Sequence, residues 1–324
     1  AVELRQAVPL WHAALGDVYV EEGNHEGALE QFARALESEP DNPEYLHRAG
    51  RAYTQLGYTD EAVEFLEKAV ALRPDDAQVL ADLGGIYARQ EKYRSAREKY
   101  LRAAELAPER PDYLLDLGDV ARELDDTDEA LSRYNQAVAI KEDYTPAYER
   151  LGALHEAQQN WSKALDAYQQ ASNLEPRSAS YLHKVGAVLK HLKQYSDAAD
   201  HLEAAVELDP EMTEAYGQLG EVYEAQQRYD EAMQVYEQAI VTAPDEAAHH
   251  ARIGRLCRQL GHLDKALVHA RKVVSLEPGD AAGYYELGQT CEAREEYDEA
   301  LQAYLEALDR DQDHAEYSYS AGVM

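Results

Sequence analysis

Residues 213–244 read TEAYGQLGEVYEAQQRYDEAMQVYEQAIVTAP, and the rest of the chain is a set of variations on this stretch. Apolar and small side chains recur in it at helical spacing twice over. Tyr216, Leu219, Gly220 and Tyr223 mark a first amphipathic helix, and Ala232, Tyr236 and Ala239 a second. Tyr229 and Asp230 stand in the turn between them, and Pro244 closes the unit. A shift of 34 residues in either direction returns the same skeleton.

Numbered from Thr213, the nine units begin at Pro9, Pro43, Ala77, Pro111, Thr145, Ala179, Thr213, Ala247 and Ala281. Position 8 is glycine in every one, from Gly16 through Gly220 and Gly254 to Gly288. Position 20 is alanine in every one, from Ala28 through Ala232 to Ala300. A glycine inside a helix costs about 1 kcal/mol relative to alanine, so the column implies a close approach that excludes a β-carbon. The expected partner in that approach is the position-20 alanine. Larger residues then fill the space around it, usually an aromatic at position 24 (Phe32, Tyr100, Tyr134, Tyr168, Tyr236, Tyr304). Asp60, Asp128, Ser162, Ser196, Asp230, Asp264 and Asp298 at position 18 are expected to cap the second helix. Proline at position 32, from Pro40 to Pro278, stops that helix, and Pro43 and Pro111 suit the first turn of the next.

These residues resemble the tetratricopeptide repeat family, whose 34-residue helix–turn–helix pattern places Leu-Gly, Tyr, Ala and Pro at these offsets. The resemblance covers essentially the whole chain. It implies an all-α fold, a right-handed α-solenoid (superhelix) of stacked antiparallel helix pairs. The layout expected is nine repeats over 9–314 (9–42, 43–76, 77–110, 111–144, 145–178, 179–212, 213–246, 247–280, 281–314). Residues 1–8 then end a preceding repeat, and 315–324 start a truncated tenth. Neither end has a polar capping helix, which suggests a piece of a longer protein. Glu142 and Gln312 replace the closing proline in two units. The eighth unit has Ala270 where an aromatic is expected, so looser packing is expected there.

Composition narrows the function class. The 324 residues carry 63 acidic and 31 basic side chains, a net charge of −32. Such a chain repels phosphate backbones and anionic headgroups, which argues against nucleic acid and membrane as partners. No apolar run approaches the roughly 20 residues of a membrane span. The two cysteines, Cys257 and Cys291, are too few for a disulfide framework and fit a reducing, cytoplasmic setting.

Specificity has to lie where the units differ. The resemblance implies that positions 2, 5, 6, 9, 12 and 13 of each first helix form an inner, concave face. Read unit by unit, that face alternates in charge: His47, Arg48 and Arg51, then Asp82, Asp116 and Asp119 with Arg89 and Arg122 between them, then His183, Lys184, Lys190 and His191. Glu221 and Glu224 follow, then Arg252, Arg255 and Arg258, then Glu286 and Glu292. The arginine trio is spaced by three and three, which keeps it on one helix face. In so acidic a chain it favours an acidic segment of a partner, unless the neighbouring glutamates neutralise it. The five asparagines lie in turns or second helices, so the asparagine ladder by which some relatives hold peptide backbones is missing. A bound peptide would rest on arginine, lysine, histidine and carboxylates, or on Tyr285.

No nucleophilic triad, glycine-rich phosphate loop or metal-ligand spacing occurs. His249, His250, His262 and His269 cluster without an i, i+4 pair, and Asp125 to Asp128 read as a turn with a helix cap. The sequence reading is therefore a non-enzymatic scaffold with no cofactor and no metal, binding a partner protein segment in its groove. The alternative is a regulatory or substrate-selecting arm of a larger enzyme such as a protease, kinase or transferase. Apolar ends could also stack copies of the chain.

Overall fold

The computed structural model describes residues 2–323, with side-chain surroundings from residue 8. The described residues form nineteen α-helices and no strand. They fall into two compact units, Ala1–Gln158 and Gln159–Met324. The first unit holds α1 (Val2–Glu21), α2 (His25–Ser38), α3 (Pro43–Gln55), α4 (Thr59–Leu72), α5 (Ala77–Arg89), α6 (Tyr93–Leu106), α7 (Pro111–Glu123), α8 (Thr127–Ile140) and α9 (Thr145–Ala157). The second holds α10 (Trp161–Leu174), α11 (Ala179–His191), α12 (Tyr195–Leu208), α13 (Thr213–Ala225) and α14 (Tyr229–Thr242). It continues with α15 (Ala247–Gln259), α16 (Leu263–Leu276), α17 (Ala281–Ala293), α18 (Tyr297–Arg310) and α19 (Ala315–Val323).

Within each unit every helix packs on the next one in the chain, the pattern of an α-solenoid. Successive first helices also touch: α3 with α5, α5 with α7, α11 with α13, and α15 with α17. The position-20 alanines are fully buried throughout, and Tyr134, Tyr168, Tyr236, Tyr304 and Phe32 at position 24 are the largest side chains buried with them.

Three sequence expectations change. First, the position-8 glycines make room for position 24, not for the position-20 alanine. A β-carbon on Gly16 would sit 2.5 Å from the Phe32 ring, one on Gly50 2.8 Å from Leu66, and one on Gly220 would collide with Tyr236. Where position 24 is aromatic, the Cδ1–Cε1 side of the ring occupies the space a β-carbon would take, so the contact is as close-packed as a protein interior allows.

Second, position 18 lies inside the second helix, not at its cap. The N-cap position of the second helix lies two residues earlier, and only in α2 and α8 does its side chain cap the helix: Asn24 accepts from the Gly27 amide (2.9 Å) and Asp126 from that of Glu129 (3.1 Å). Asp60, Asp128, Asp230, Asp264 and Asp298 instead place negative charge in the first turn, against the positive end of the helix dipole. The turn itself depends on a residue at position 15 with positive φ. Gly23, Gly57 and Gly261 supply it freely, whereas Glu91, Asp125, Gln159, Lys193, Gln227 and Glu295 adopt the left-handed conformation at φ of 58–63°.

Third, α1 runs unbroken from Val2 through Pro9 to Glu21, where the sequence reading placed a boundary at Pro9. Other boundaries carry a stop such as Pro40-Asp41-Asn42. The corresponding place has Gln6 in place of proline, but Glu142 and Gln312 also replace it where α8 and α18 do end; Pro9 removes one hydrogen bond and crowds the preceding turn without breaking α1.

Candidate functional site

Opposite charges on consecutive first helices most often meet at a separation of 31 residues. A residue at position 6 faces position 9 of the preceding first helix, which is one repeat less one helical turn. Arg48 thus donates to Asp17 at 2.5 Å, and Arg150 reaches Asp119 at 2.9 Å. Arg51 lies 3.7 Å from Asp82, which also holds His47 at 2.7 Å.

In the second unit the ladder holds Arg252 and Arg255, and position-12 cations, Lys190 and Arg258, join the same two carboxylates. Glu221 receives Lys190 at 2.6 Å and Arg252 at 3.3 Å. Glu286 receives Arg258 and, at 3.4 Å, Arg255. The guanidinium of Arg252 lies so close over Gly217 that a β-carbon there would come within 2.5 Å of it. The neighbouring glutamates therefore do neutralise the trio, through Glu221 and Glu286 only. Glu224 and Glu292 instead accept from the hydroxyls of Tyr236 and Tyr304, each at 2.5 Å. Burial, reinforced by those carboxylates, pushes both phenol pKa values upward.

The outermost pair, Arg255 with Glu286, is of the kind that contributes only ~0–1 kcal/mol, so an incoming carboxylate can displace it. Arg255 is the most accessible of the trio, with its side chain 60% exposed against 22% for Arg258. It stands at the rim of an open cleft of about 450 Å³ lined by Glu221, Glu224, Tyr236, Ala251 and Arg252.

The other candidates are placed separately. His191 stacks flat on Trp161, with ring centroids 4.0 Å apart, and Lys184 lies over the rings of Tyr168 (5.6 Å) and Tyr181 (5.9 Å). Tyr285 packs against Tyr304 and Tyr317, so it belongs to an aromatic cluster. Arg48 and Arg51 sit in the first unit, where the ladder has a gap. Gly85 occupies the place from which a cation would face Asp116. Burial, with Asp119 and Asp112 nearby and only Arg150 opposing, raises the Asp116 carboxyl to about 7. It lines a cleft of about 270 Å³ with Arg51, Asp82, Arg89 and Tyr100.

Sequence spacing missed one pair altogether. His250 and His269, 19 residues apart, meet with Nδ1 atoms at 3.0 Å because positions 4 and 23 face each other, as His12 and Gln31 do at 2.8 Å. The Pro244 carbonyl, 3.0 Å from His250 Nε2, can only accept, so His250 carries its proton there and accepts from His269. Cys257 and Cys291 are free and buried, and burial raises both thiol pKa values. A thiol and two carboxylates, from Cys291, Glu296 and Glu299, lie within 4.8 Å of one another, but Glu296 is already held by Arg294. No helix among the described residues is long and apolar enough to cross a membrane.

Helices of 13 and 14 residues alternating in a 34-residue register, with a ring seated on glycine in most pairs, define a tetratricopeptide repeat array. A tetratricopeptide repeat family model matches residues 19–83. The model described as cilia and flagella-associated protein 70 C-terminal domain matches residues 109–321, and the chain belongs to that family. Pseudomonas aeruginosa PilF has 22% identity and a TM-score of 0.56, over 64% of this chain and 94% of that one. A tetratricopeptide repeat protein from Parabacteroides merdae ATCC 43184 has 15% identity and a TM-score of 0.55, over 78% and 99%. The Cut9–Hcn1 hetero-tetramer of APC/C has 18% identity and a TM-score of 0.51, over 82% and 52%. These likenesses show the fold alone. No curated protein matches the chain in sequence. Proteins built from this repeat are typically interaction scaffolds and generally not enzymes.

Proposed function

We propose that the chain is a scaffold that holds a segment of a partner protein against the inner faces of its first helices, with Arg252, Arg255 and Arg258 as the acid-binding contact. The observation that carries this reading is Arg255, a largely exposed guanidinium at the rim of an open cleft, held by a carboxylate it shares with Arg258. An acidic side chain arriving there replaces Glu286 at Arg255 and leaves Glu286 paired with Arg258, so no charge is stranded. Lys190 takes a supporting part through Glu221. Within the second unit Lys184, His191 and Tyr285 serve as further contacts, and Arg48 and Arg51 are a separate candidate contact in the first unit.

The test is selection of random displayed peptides on the full chain, followed by titration against a variant with Arg252, Arg255 and Arg258 all changed to glutamate. Loss of affinity for acidic peptides is expected. Unchanged affinity removes the arginine assignment, and failure to select any peptide removes the scaffold reading. A second reading, association of copies, has its own observation: Val8, Leu10, Trp11, Leu15 and Val18 form an exposed apolar row on α1. A monomeric mass at all concentrations in light scattering would remove it.

A further inference from the structure

In seven of the eight helix pairs whose position-8 glycine can be compared, the position-24 side chain lies on that glycine. The exception is α15–α16. Ala270 stands at position 24, and the nearest atom to a β-carbon on Gly254 is the His269 Cβ, at 3.2 Å. The missing ring leaves a pocket of about 110 Å³ between α15, α16 and α17. Gly254, Ala270, Val273 and Thr290 form its buried floor, and the exposed Arg255 and Ala282 stand at its mouth.

We propose that this pocket takes a leucine-sized aliphatic side chain from a partner segment that carries an acidic residue beside it. The proposal rests on the scaffold reading above and gives the partner a chemistry at one site.

Three observations converge on that occupant. The polar side chains of the lining are already satisfied internally. Thr290 Oγ1 donates to the Glu286 carbonyl at 2.8 Å, and His250 is engaged at both ring nitrogens. Asp280 accepts from the amides of Ala282 (3.1 Å) and Gly283 (2.9 Å). A polar occupant would therefore lose its own hydration without compensation, whereas an apolar one only gains. Size selects within the apolar side chains. An apolar cavity of about 150 Å³ takes a benzene ring, so the smaller space here suits an isobutyl or sec-butyl group. Charge selects the neighbour. Arg255 stands at the mouth, is the longer-range of the two cations on Glu286, and lies next to the Arg252 cleft. A carboxylate on the residue adjoining the inserted side chain reaches it, and the rest of the segment continues along the cleft.

The experiment uses the full chain and the displayed random peptides already described. Selected peptides are expected to share leucine, isoleucine or valine next to aspartate or glutamate. Ala270→Leu fills the pocket with the side chain that two other repeats carry at this position, Leu66 and Leu202. It is expected to weaken such peptides at least about tenfold while leaving the thermal unfolding midpoint equal or higher. Arg255→Glu is expected to weaken them too, with the preference for the aliphatic residue retained. Should Ala270→Leu fail to fold, Ala270→Val places a smaller group in the same space and must show the same loss in weaker form. Selected peptides that bind Ala270→Leu undiminished but lose affinity for Arg255→Glu overturn the pocket and leave the scaffold intact. Peptides that reproduce a stretch of this chain overturn the foreign partner in favour of a second copy. Failure to select any peptide overturns the scaffold reading beneath both.

Discussion

The helix pairs α13–α14 and α15–α16 share their lengths, their turn and their glycine, yet they are filled in different ways. In the first, Tyr236 lies on Gly220 with its ring fully buried and its hydroxyl on Glu224. In the second, Ala270 fills only part of that space, and a histidine pair closes one side of it. The inner faces differ as well, glutamates on α13 and arginines on α15. The backbone does not need the ring in order to form. A repeat held between two neighbours can leave its own centre underfilled, and the space released becomes available to something else.

The largest expected effect sharpens that contrast directly. Gly220→Ala forces the Tyr236 ring off the helix and should lower stability by about 1–3 kcal/mol, despite the helix propensity that alanine brings. Gly254→Ala meets only the His269 Cβ and should be neutral within about 0.5 kcal/mol. Urea unfolding of the two variants side by side checks this, and equal losses would erase the distinction.

Next comes pH. Burial, His250 and Lys265 lower the His269 pKa from 6.5 to about 4. The unfolded chain takes up this proton first, so the associated stability is complete above about pH 6.5 and is lost as pH falls through about 4. Partial exposure of His269 holds the loss to about 1–2 kcal/mol. His269→Gln should flatten this part of the profile relative to the parent, and a parallel pair of curves would remove the histidine from the account.

Filling the space is a smaller effect. Ala270→Leu should raise stability by about 1 kcal/mol, readable as a higher urea midpoint. Smallest is the surface pair. A double-mutant cycle on Arg255 and Glu286 should return a coupling below about 1 kcal/mol that shrinks as salt is added.

The sequence discloses the repeat because Gly220 and Ala232 have counterparts in every unit, and a fixed period needs no knowledge of contacts. The arginine trio on α15 is legible for the same reason, since its three members share one helix face. What escapes is whatever depends on how one helix is rotated against another. The ring of Tyr236 lies on a glycine 16 positions away, and the 31-residue charge ladder crosses between first helices. A scan for opposite charges at that separation would have found Arg48 with Asp17 and Arg252 with Glu221. Nothing in the composition of Glu91 or Lys193 discloses a left-handed residue, because the turn imposes it and charged side chains only tolerate it. His250 and His269 escape because metal-site reasoning looks along a single helix.

The shared carboxylates of the ladder turn recognition into an exchange. A partner acid that takes Arg255 creates no new ion pair in net terms; it substitutes for Glu286, which keeps Arg258. Added salt then screens the departing contact and the arriving one alike, so affinity should vary little with ionic strength. Such a surface discriminates by fit far more than by attraction, which keeps an acidic chain from gathering every acidic neighbour it meets.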